Sequence, residues 1–439
     1  MEKGTFRKAF DNSTWMIAAK IINIIIGLAV NVCVTRYLGA EQKGMMADAQ
    51  AIAAFWGFVA SFGLLDIMIS KFSQDRELSG AVAASGMTIM FCSGVAAFLL
   101  AIISAVVLGV DREILLYVTI SSFTYIFQCL TVFEYWFYSN SNTKYYAVSQ
   151  SVIHIIFLGM RLAGVLLKAN LIYFIFAVSA ETICIYMSLL FCYKKTKCNF
   201  IGQFAFNIKI AKELFKLALP MVAMGFATTI YMKVDQIMVG RLMGNTELGF
   251  YSVAVTLAEY WYFVPATIYS SFLPVLAECR CDNSVLIQRI QQFADIMSFI
   301  GYAAVFAAML FGRWGVVLLF GIEFEKSAYI LMVYIWSGLL TCLSYSAQAY
   351  YIIHKDTKIV MWTNIIGALL NFVLNLILIS FMGSIGAALA TFIEYACVGF
   401  GTMVIMRRKY GELYIAQIKS LFPFIRLGKY CIKKAKERN

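Results

Sequence analysis

Twelve long apolar segments constrain the fold of this chain more than any other feature of its sequence. Each is about 20 residues or longer, which is enough to cross the roughly 30 Å hydrocarbon core of a bilayer as a helix. Since lipid offers the backbone no hydrogen-bond partners, such segments are expected to be helical. The sequence therefore predicts an all-α polytopic membrane protein with twelve transmembrane helices. The predicted spans 1 to 12 lie at about 14–35, 45–70, 81–108, 114–138, 146–167, 171–193, 214–240, 250–275, 289–312, 328–353, 359–380 and 384–406.

Three short motifs of the first half of the chain return, in the same order, in the second half. The slowly growing offsets indicate a duplicated chain whose second copy has slightly longer loops. Internal repeats of this size in a membrane chain are typical of transporters. The motif Arg-x-x-Gly-x-x-x-x-Gly at 36–44 returns at 241–249 (offset 205), Gly-x-(Asp/Glu)-x-Glu at 109–113 returns at 321–325 (offset 212), and Thr-Lys at 143–144 returns at 357–358 (offset 214).

Lysine and arginine are unequally divided between the loops. With the N-terminus inside, the cytoplasmic segments hold 26 of them, the opposite side holds 7, and 3 lie within spans. By the positive-inside rule both termini are predicted to be cytoplasmic. Because each repeat holds an even number of helices, the second half enters the membrane in the same direction as the first. Two parallel six-helix repeats around a central cavity are therefore expected.

The sequence predicts a division into an N-terminal six-helix half (1–193), a cytoplasmic linker (194–213), a C-terminal six-helix half (214–406) and a basic cytoplasmic tail (407–439). The region around the linker is rich in lysine and predicts a short amphipathic helix on the cytoplasmic surface. The tail is expected to lie against anionic membrane lipid, and this asymmetry explains most of the net charge of +12. The charge is therefore a poor indication of nucleic-acid binding.

The sequence shows no signature of a metal or cofactor site. Cys279-x-Cys281 lies in a short cytoplasmic loop, and His154 and His354 are the only histidines, so a zinc site there would lack ligands. No Gly-rich nucleotide-binding motif is present, so ATP hydrolysis by this chain is not expected. We expect a protein without a cofactor that is not an enzyme.

Several motifs together resemble a known family. In their order and spacing, over nearly the whole chain, they resemble the polysaccharide flippases of the O-antigen type. That family lies within the multidrug/oligosaccharidyl-lipid/polysaccharide exporter superfamily. One departure is Ser380, where the family often has proline. The motifs are Leu219-Pro220, Asp235-Gln236, Gly240-Arg241, Gly249-x-Tyr251, Leu319-Phe320-Gly321-x-Glu323-Phe324, Asn371-x-x-x-Asn375 and Gly383-x-x-Gly386-Ala387-Ala388-x-Ala390-Thr391.

The resemblance implies transport without bond making. Members of this family move a sugar repeat unit, joined through a diphosphate to a polyprenol, from the inner to the outer leaflet of the bacterial inner membrane. The product serves surface polysaccharide such as the O-antigen of lipopolysaccharide, and a polysaccharide polymerase is a candidate partner that removes it. Buried cations would attract the diphosphate strongly, because the local dielectric constant is low.

Three alternative functions remain open from the sequence. A cation-coupled multidrug exporter of the same superfamily also has twelve helices, although lysines inside the spans suit cationic drugs poorly. A lipid II flippase would be expected to have fourteen spans. A membrane polysaccharide polymerase or ligase is an enzyme of a different class and typically has a large periplasmic loop, which is missing here.

Charged residues inside the spans are costly, so each needs a partner or a function. Lys20 in span 1 and Lys233 in span 7 lie in equivalent helices of the two halves and are the predicted diphosphate contacts. Lys20 lies about 10 Å from the end of its span at 1.5 Å per residue, so snorkelling to the surface is the alternative. Asp235 is two residues from Lys233 and points to another helix face, which disfavours a simple pair within the helix.

Three arginines complete the candidate substrate-binding set. Arg161 in span 5 is expected to form an ion pair with Glu181 or Glu134, in preference to a contact with substrate. Arg36 and Arg241 precede the glycines of the repeated motif. They are interpreted as interfacial anchors rather than as an outer cation pair that receives the diphosphate.

Carboxylates in mid-span are candidates for coupling transport to a proton or cation, and these are Asp235, Glu259 and Glu394. Asp295 lies nearer a cytoplasmic end, where solvation is the simpler account. Proline in mid-span frees a backbone carbonyl, so Pro265 is predicted to kink span 8 and act as a hinge.

Two asparagines lie one helical turn apart in span 11. Asn371 and Asn375 are expected to form hydrogen bonds to other helices and so to stabilise helix packing. The aromatic cluster from Tyr251 to Phe263 is interpreted as interfacial and lipid-facing rather than as a sugar-stacking surface.

Overall fold

The computed structural model describes residues 3–140, 144–196, 200, 202–424 and 426, with side chains from Ile25 onward apart from a few later positions. Every regular element in this part of the chain is helical, which confirms the predicted all-α fold. The helices are α1 (Lys3–Ser61), α2 (Leu65–Gln74), α3 (Ser79–Val107), α4 (Arg112–Ser122), α5 (Thr124–Phe127), α6 (Val132–Ser139), α7 (Lys144–Leu166), α8 (Leu171–Lys195), α9 (Ile208–Met243), α10 (Asn245–Glu278), α11 (Asn283–Phe320), α12 (Glu325–Ile353), α13 (Thr357–Ile405) and α14 (Arg407–Ser420).

The predicted spans correspond to these helices, but some are joined and others are interrupted. Spans 1 and 2 lie in α1 and α2, span 4 is divided among α4, α5 and α6, and spans 11 and 12 both lie in α13. Eight segments of the described chain are long and apolar enough to cross a membrane, and two of them, Ile25–Gln74 and Met361–Thr402, each overlap two predicted spans. Helices α9 and α10 provide spans 7 and 8.

The backbone repeats at the turns that join consecutive spans. Gly39 (φ 72°, ψ 177°) and Gly244 (φ 86°, ψ 174°) have nearly the same conformation, and they belong to the repeated motif. A positive φ of this kind is open to glycine because it has no Cβ. Gly109 and Gly321 also share a positive φ, as do Lys168 and Gly383. Three pairs of matching turns, in the order of the sequence repeat, support the predicted duplication.

The chain forms two compact units, Met1–Lys233 and Val234–Asn439, and the division falls inside α9. We call them the first unit and the second unit. The four-part division of the chain made from the sequence stays a prediction.

The linker does not form the separate amphipathic helix that its lysines suggested. Residues 202–207 are not helical, and α9 begins at Ile208 and continues without a break into span 7. Asn207 caps this helix, since its Oδ1 accepts a hydrogen bond of 2.9 Å from the backbone N–H of Lys209. Leu214 and Ala218 lie one helical turn apart, and both side chains are buried in the core of the first unit. The predicted linker helix and span 7 therefore form one continuous helix.

The tail folds back on the second unit. Helix α14 buries one face against α11, α12 and α13, and this face consists of Tyr410, Leu413, Ala416, Gln417 and Ser420. The spacing of three and four residues is that of an amphipathic helix.

The expectation that Asp295 is solvated was wrong. Its side chain is completely buried, and Arg426 donates hydrogen bonds of 2.9 and 3.0 Å to its two carboxylate oxygens. Gln291 on the same helix donates a further bond of 3.1 Å. The carboxylate is buried because the tail covers the first part of α11. This contact is between residues far apart in the sequence, so the local sequence around Asp295 does not indicate it.

Candidate functional site

Asp235 and Tyr251 are brought together by the turn at Gly244. They lie nine residues before and seven residues after this glycine, on α9 and α10. The buried Tyr251 hydroxyl donates to Asp235 Oδ2, and Oδ1 accepts a bond of 2.7 Å from the Gln236 backbone N–H. The same hydroxyl lies within hydrogen-bond reach of Thr391 on α13. The sequence indicated Asp235 as a coupling candidate, but the interpretation of Tyr251 as interfacial and lipid-facing was wrong, because its side chain is fully buried.

Asn371 and Asn375 were expected to form hydrogen bonds to other helices, but among the described residues their side chains show no such bond. Asn375 Nδ2 donates to Asn371 Oδ1 at 2.8 Å, so they bond to each other along α13. Both side chains are buried, and the Asn375 carbonyl oxygen has no hydrogen-bond partner in the described part of the chain. A buried carbonyl oxygen without a donor is unfavourable by about 1–3 kcal/mol. It could therefore accept a bond from substrate or coordinate a cation.

The other two coupling candidates differ in burial. Glu394, on the last part of α13, is 2% exposed and lies against Gly367, where an added Cβ would be 2.6 Å from Glu394 Oε1. Glu259 on α10 is exposed. The α-helix that carries Glu259 continues from Asn245 to Glu278 with Pro265 inside it, so the hinge role of this proline stays a prediction.

In the first unit Arg161 pairs with Glu181, one of the two partners that the sequence left open. Arg161 Nη2 donates a hydrogen bond to Glu181 Oε2. A third residue that was not expected from the sequence belongs to the same cluster, since His154 Nδ1 lies 2.6 Å from Glu181 Oε1. His154 and Arg161 are seven residues apart on α7, which places them on one helix face. The spacing was visible in the sequence, although the facing helix was not.

The remaining cations of the predicted set are distributed along the chain. Arg36 is exposed and Arg241 is half-buried, and each lies three residues before the glycine of its turn. Lys233 is half-buried on α9. Lys20 lies on α1, but its side chain is outside the described residues.

The burial of two further charged residues, Lys43 and Asp48, was not expected from the sequence. Lys43 was counted among the loop charges, but α1 reverses at the single residue Gly39 and no loop remains. Lys43 is therefore part of the following helical segment and is 7% exposed, and Asp48 is fully buried. The sequence repeat does indicate that position 43 is buried. The counterpart of Lys43, 205 residues later, is the apolar residue Leu248, which is fully buried.

Among the residues that the structure describes, no three His, Cys, Asp or Glu side chains come together as metal ligands. What the site offers is a set of cations, carboxylates and hydroxyls inside apolar helices. Such an arrangement binds and releases charged solutes or protons.

Helices of this number and order, with a duplicated half, form an all-α polytopic membrane fold, and comparison with solved structures shows the same fold. The chain has a TM-score of 0.71 to the lipid II flippase MurJ in an inward closed conformation, at 17% identity, over 94% of this chain and 92% of that one. An inward-facing multidrug resistance MATE family transporter of the MOP superfamily gives 0.69 at 13% identity, over 89% and 95% of the two chains. A MOP superfamily transporter from Pyrococcus furiosus gives 0.59 at 12% identity, over 91% and 94%.

A family model described as polysaccharide biosynthesis protein matches residues 9–280, which is more than half of the chain. The chain belongs to this family. None of the curated protein sequences compared with the chain is similar to it.

Proposed function

We propose that this protein is a flippase that moves a polyprenyl-diphosphate-linked oligosaccharide repeat unit across the bacterial inner membrane by alternating access. The repeat unit would serve the assembly of a surface polysaccharide such as the O-antigen. One observation carries the proposal. A chain of the polysaccharide biosynthesis family has a fold similar to that of a flippase for a lipid-linked precursor.

The buried cations are consistent with an anionic headgroup. Lys43 is 7% exposed, and Arg161 has only 19% of its side chain exposed. A diphosphate that leaves water must gain comparable electrostatic stabilisation from the protein, and cations in a low-dielectric environment supply it. In this proposal Lys20 and Lys233 contact the diphosphate. Arg161 is mainly the partner of Glu181, and Arg36 and Arg241 are mainly interfacial anchors at the outer turns.

The remaining predicted roles belong to the same proposal. Asp235, Glu259 and Glu394 couple transport to a cation or proton gradient, and Pro265 is a hinge. Both termini lie on the cytoplasmic side. A polysaccharide polymerase consumes the product, and bond formation occurs there rather than in this chain.

The tail contacts anionic lipid with the face of α14 that does not pack on the protein. Ile415 on α14 and Phe422, two residues after this helix ends, are more than half exposed, and Lys409 and Lys419 on α14 are also exposed. An apolar face flanked by lysines is suited to the interface of an anionic membrane.

The test is a reconstitution in proteoliposomes that contain a polyprenyl-diphosphate oligosaccharide in both leaflets. An external sugar-binding probe follows its exposure, with and without a proton or sodium gradient. Protein-dependent exposure of the lipid-linked sugar is expected, and protein-free vesicles are the control. No exposure above that control would contradict the proposal, and release of polymerised sugar would instead identify a polymerase.

A second candidate is a cation-coupled multidrug exporter, which the similarity to the MATE family transporter favours. The same vesicles can be loaded with a cationic dye. Gradient-driven dye extrusion without movement of the lipid-linked sugar would support this alternative.

A further inference from the structure

The cluster of His154, Arg161 and Glu181 lies between α7 and α8 of the first unit. Glu181 has only 9% of its side chain exposed and uses both carboxylate oxygens. Oε2 accepts from Arg161, and Oε1 lies 2.6 Å from His154 Nδ1. Because Arg161 always carries a positive charge, it neutralises Glu181. The imidazole is therefore the only member of the cluster whose ordinary chemistry changes its charge near neutral pH.

The second imidazole nitrogen faces a different helix. An added Cβ at Gly27 of α1 would lie 3.5 Å from His154 Nε2, so the imidazole occupies the space that the glycine leaves. Gly27 offers this nitrogen no side-chain acceptor. When Nδ1 donates to Glu181, Nε2 has a free lone pair and is the atom that accepts a proton. Protonation then changes the net charge of the cluster from zero to +1.

The equivalent place in the second unit has the glutamate without the histidine. His154 and Glu181 are 27 residues apart, as are Gly367 and Glu394, and both pairs are in contact. The two pairs are related by an offset of 213, which lies within the range of the sequence repeat. Since the second hairpin packs a glutamate against a glycine, helix packing at this place does not require an imidazole. The histidine is therefore not required by the packing that the two halves share at this place, which leaves it open to another role.

We propose that His154, held by Glu181 and Arg161, is a proton-binding site that couples transport to a proton gradient. This proposal rests on the proposed function in one respect, which is that proton binding is coupled to transport of the lipid-linked sugar. The proton binds at Nε2 and makes the cluster positive, and it leaves when the cluster is open to a compartment of higher pH. Because Nε2 lies against α1, binding and release act on the contact between α7 and α1.

Other titratable groups near the imidazole are few. Helix α7 packs against α8 and α1. On α1, the described side chains from Ile25 to Thr35 include no Asp, Glu, Lys, Arg or His. The groups that face this region, or lie nearest to it along the packed helices, are Arg161 on α7, Glu181 and Cys184 on α8, and Cys33 and Arg36 on α1, with Lys20 on α1 outside the described side chains.

The chain contains only two histidines, which allows a direct test. The full-length protein, labelled with ¹⁵N-histidine in lipid nanodiscs, should give two sets of ring signals, and His354→Gln assigns them by removing one. We expect the His154 signals to change from those of a neutral ring to those of a protonated ring as the sample is acidified. In Glu181→Gln this change should need a more acidic sample, because the imidazolium loses its carboxylate. His154 signals that do not change on acidification would overturn the proposal.

A transport measurement provides the second arm and does not depend on how Glu181→Gln folds. His154→Asn keeps an N–H donor near Glu181 but cannot take up a proton. Flipping by this variant should lose its dependence on pH and on the proton gradient, whereas His354→Gln should keep both. If flipping by His154→Asn depends on pH as it does in the wild type, His154 is not the coupling site, and the proposed flippase function is unaffected. If the wild type does not flip the lipid-linked sugar, the proposed function fails, and the ring titration still decides whether the proton site exists.

Discussion

The segments that follow predicted spans 6 and 12 each cover one end of their own unit, at matching places but with different chemistry. In the first unit Ser85 Oγ on α3 bonds to the backbone of Asn207, with distances of 3.1 and 3.2 Å. In the second, Gln291 on α11 bonds to Ser420 at 2.6 Å. Gln291 and Ser420 lie 206 and 213 residues after Ser85 and Asn207, so the contact belongs to the repeat.

The surroundings of this shared contact have diverged. In the first unit the covering segment is aromatic. The ring of Phe200 lies 5.0 Å from that of Trp136 and 5.9 Å from that of Phe72. In the second unit the corresponding end is closed by the buried ion pair of Asp295 and Arg426. Duplication therefore preserved where the covering segment docks, while the second unit gained a buried ion pair beside the apolar contacts of α14.

The largest effect is expected from the two lysines that occupy equivalent helices of the halves. Lys20→Ala and Lys233→Ala should each abolish transport and leave membrane insertion intact, because each removes a cation that would contact the diphosphate. The proteoliposome assay and the yield of inserted protein measure these two outcomes, with the exposed Lys419→Ala as the control. If both variants export normally, the substrate site is wrong, and loss in only one would show that the halves are not equivalent in function.

The ion pair at the tail should have the next largest effect. Arg426→Ala leaves the Asp295 carboxylate buried without its cation, which should destabilise the second unit by about 3–5 kcal/mol. Denaturation in detergent, followed by a reporter on α14, measures the change. The double variant Asp295→Ala with Arg426→Ala removes both charges and should be more stable than Arg426→Ala alone. A double variant that is no better would show that the pair is not the source of the stability.

Truncation of an aromatic side chain in the covering segment of the first unit should destabilise the protein less than Arg426→Ala does. Phe200 is only partly buried, so Phe200→Ala should cost about 2 kcal/mol, below the range for fully buried phenylalanine. Phe204 in the same segment is 54% exposed, and Phe204→Ala is the matched control that should change stability little. Equal losses from Phe200→Ala and Arg426→Ala would remove the contrast between the two ends.

A smaller change concerns the helix that begins in the linker. Asn207→Ala removes the side-chain cap of α9 and should cost about 1 kcal/mol, whereas Asn207→Asp should keep the cap. Hydrogen exchange at Lys209 and Ile210 measures the fraying of the first turn. Unchanged exchange in Asn207→Ala would mean that the bonds to Ser85 hold this turn by themselves.

The smallest effect is expected from pH at the first turn of α14. Hydrogen bonds from Tyr410 and Lys409 lower the pKa of the partly exposed Asp356 carboxyl. A lowered pKa means that this contact stabilises the fold above the usual Asp pKa and is lost as pH falls through the lowered value. Asp356→Asn at neutral pH should therefore loosen α14 slightly, as acid does in the wild type. Hydrogen exchange in α14, corrected for intrinsic rates, measures this, and no difference would show that the contact contributes nothing.

The sequence determined the membrane class, the number of spans and the duplication, because these depend on apolar length and on motifs that recur along the chain. The glycines of the repeated motifs also marked turns correctly, since a residue without Cβ is needed where φ is positive. The partner of Arg161 was narrowed to two glutamates because a buried cation requires an anion.

Only the tertiary structure decided which helix faces which. Apolar periodicity identifies the helices of a membrane protein but not their neighbours, since a lipid-facing surface is as apolar as a packed one. For that reason the contact of His154 with Glu181, the bond from Tyr251 to Asp235 and the burial of Asp295 under the tail became visible only in the fold. Lys43 changed from a loop charge to a buried one because one glycine, rather than a loop, reverses the chain.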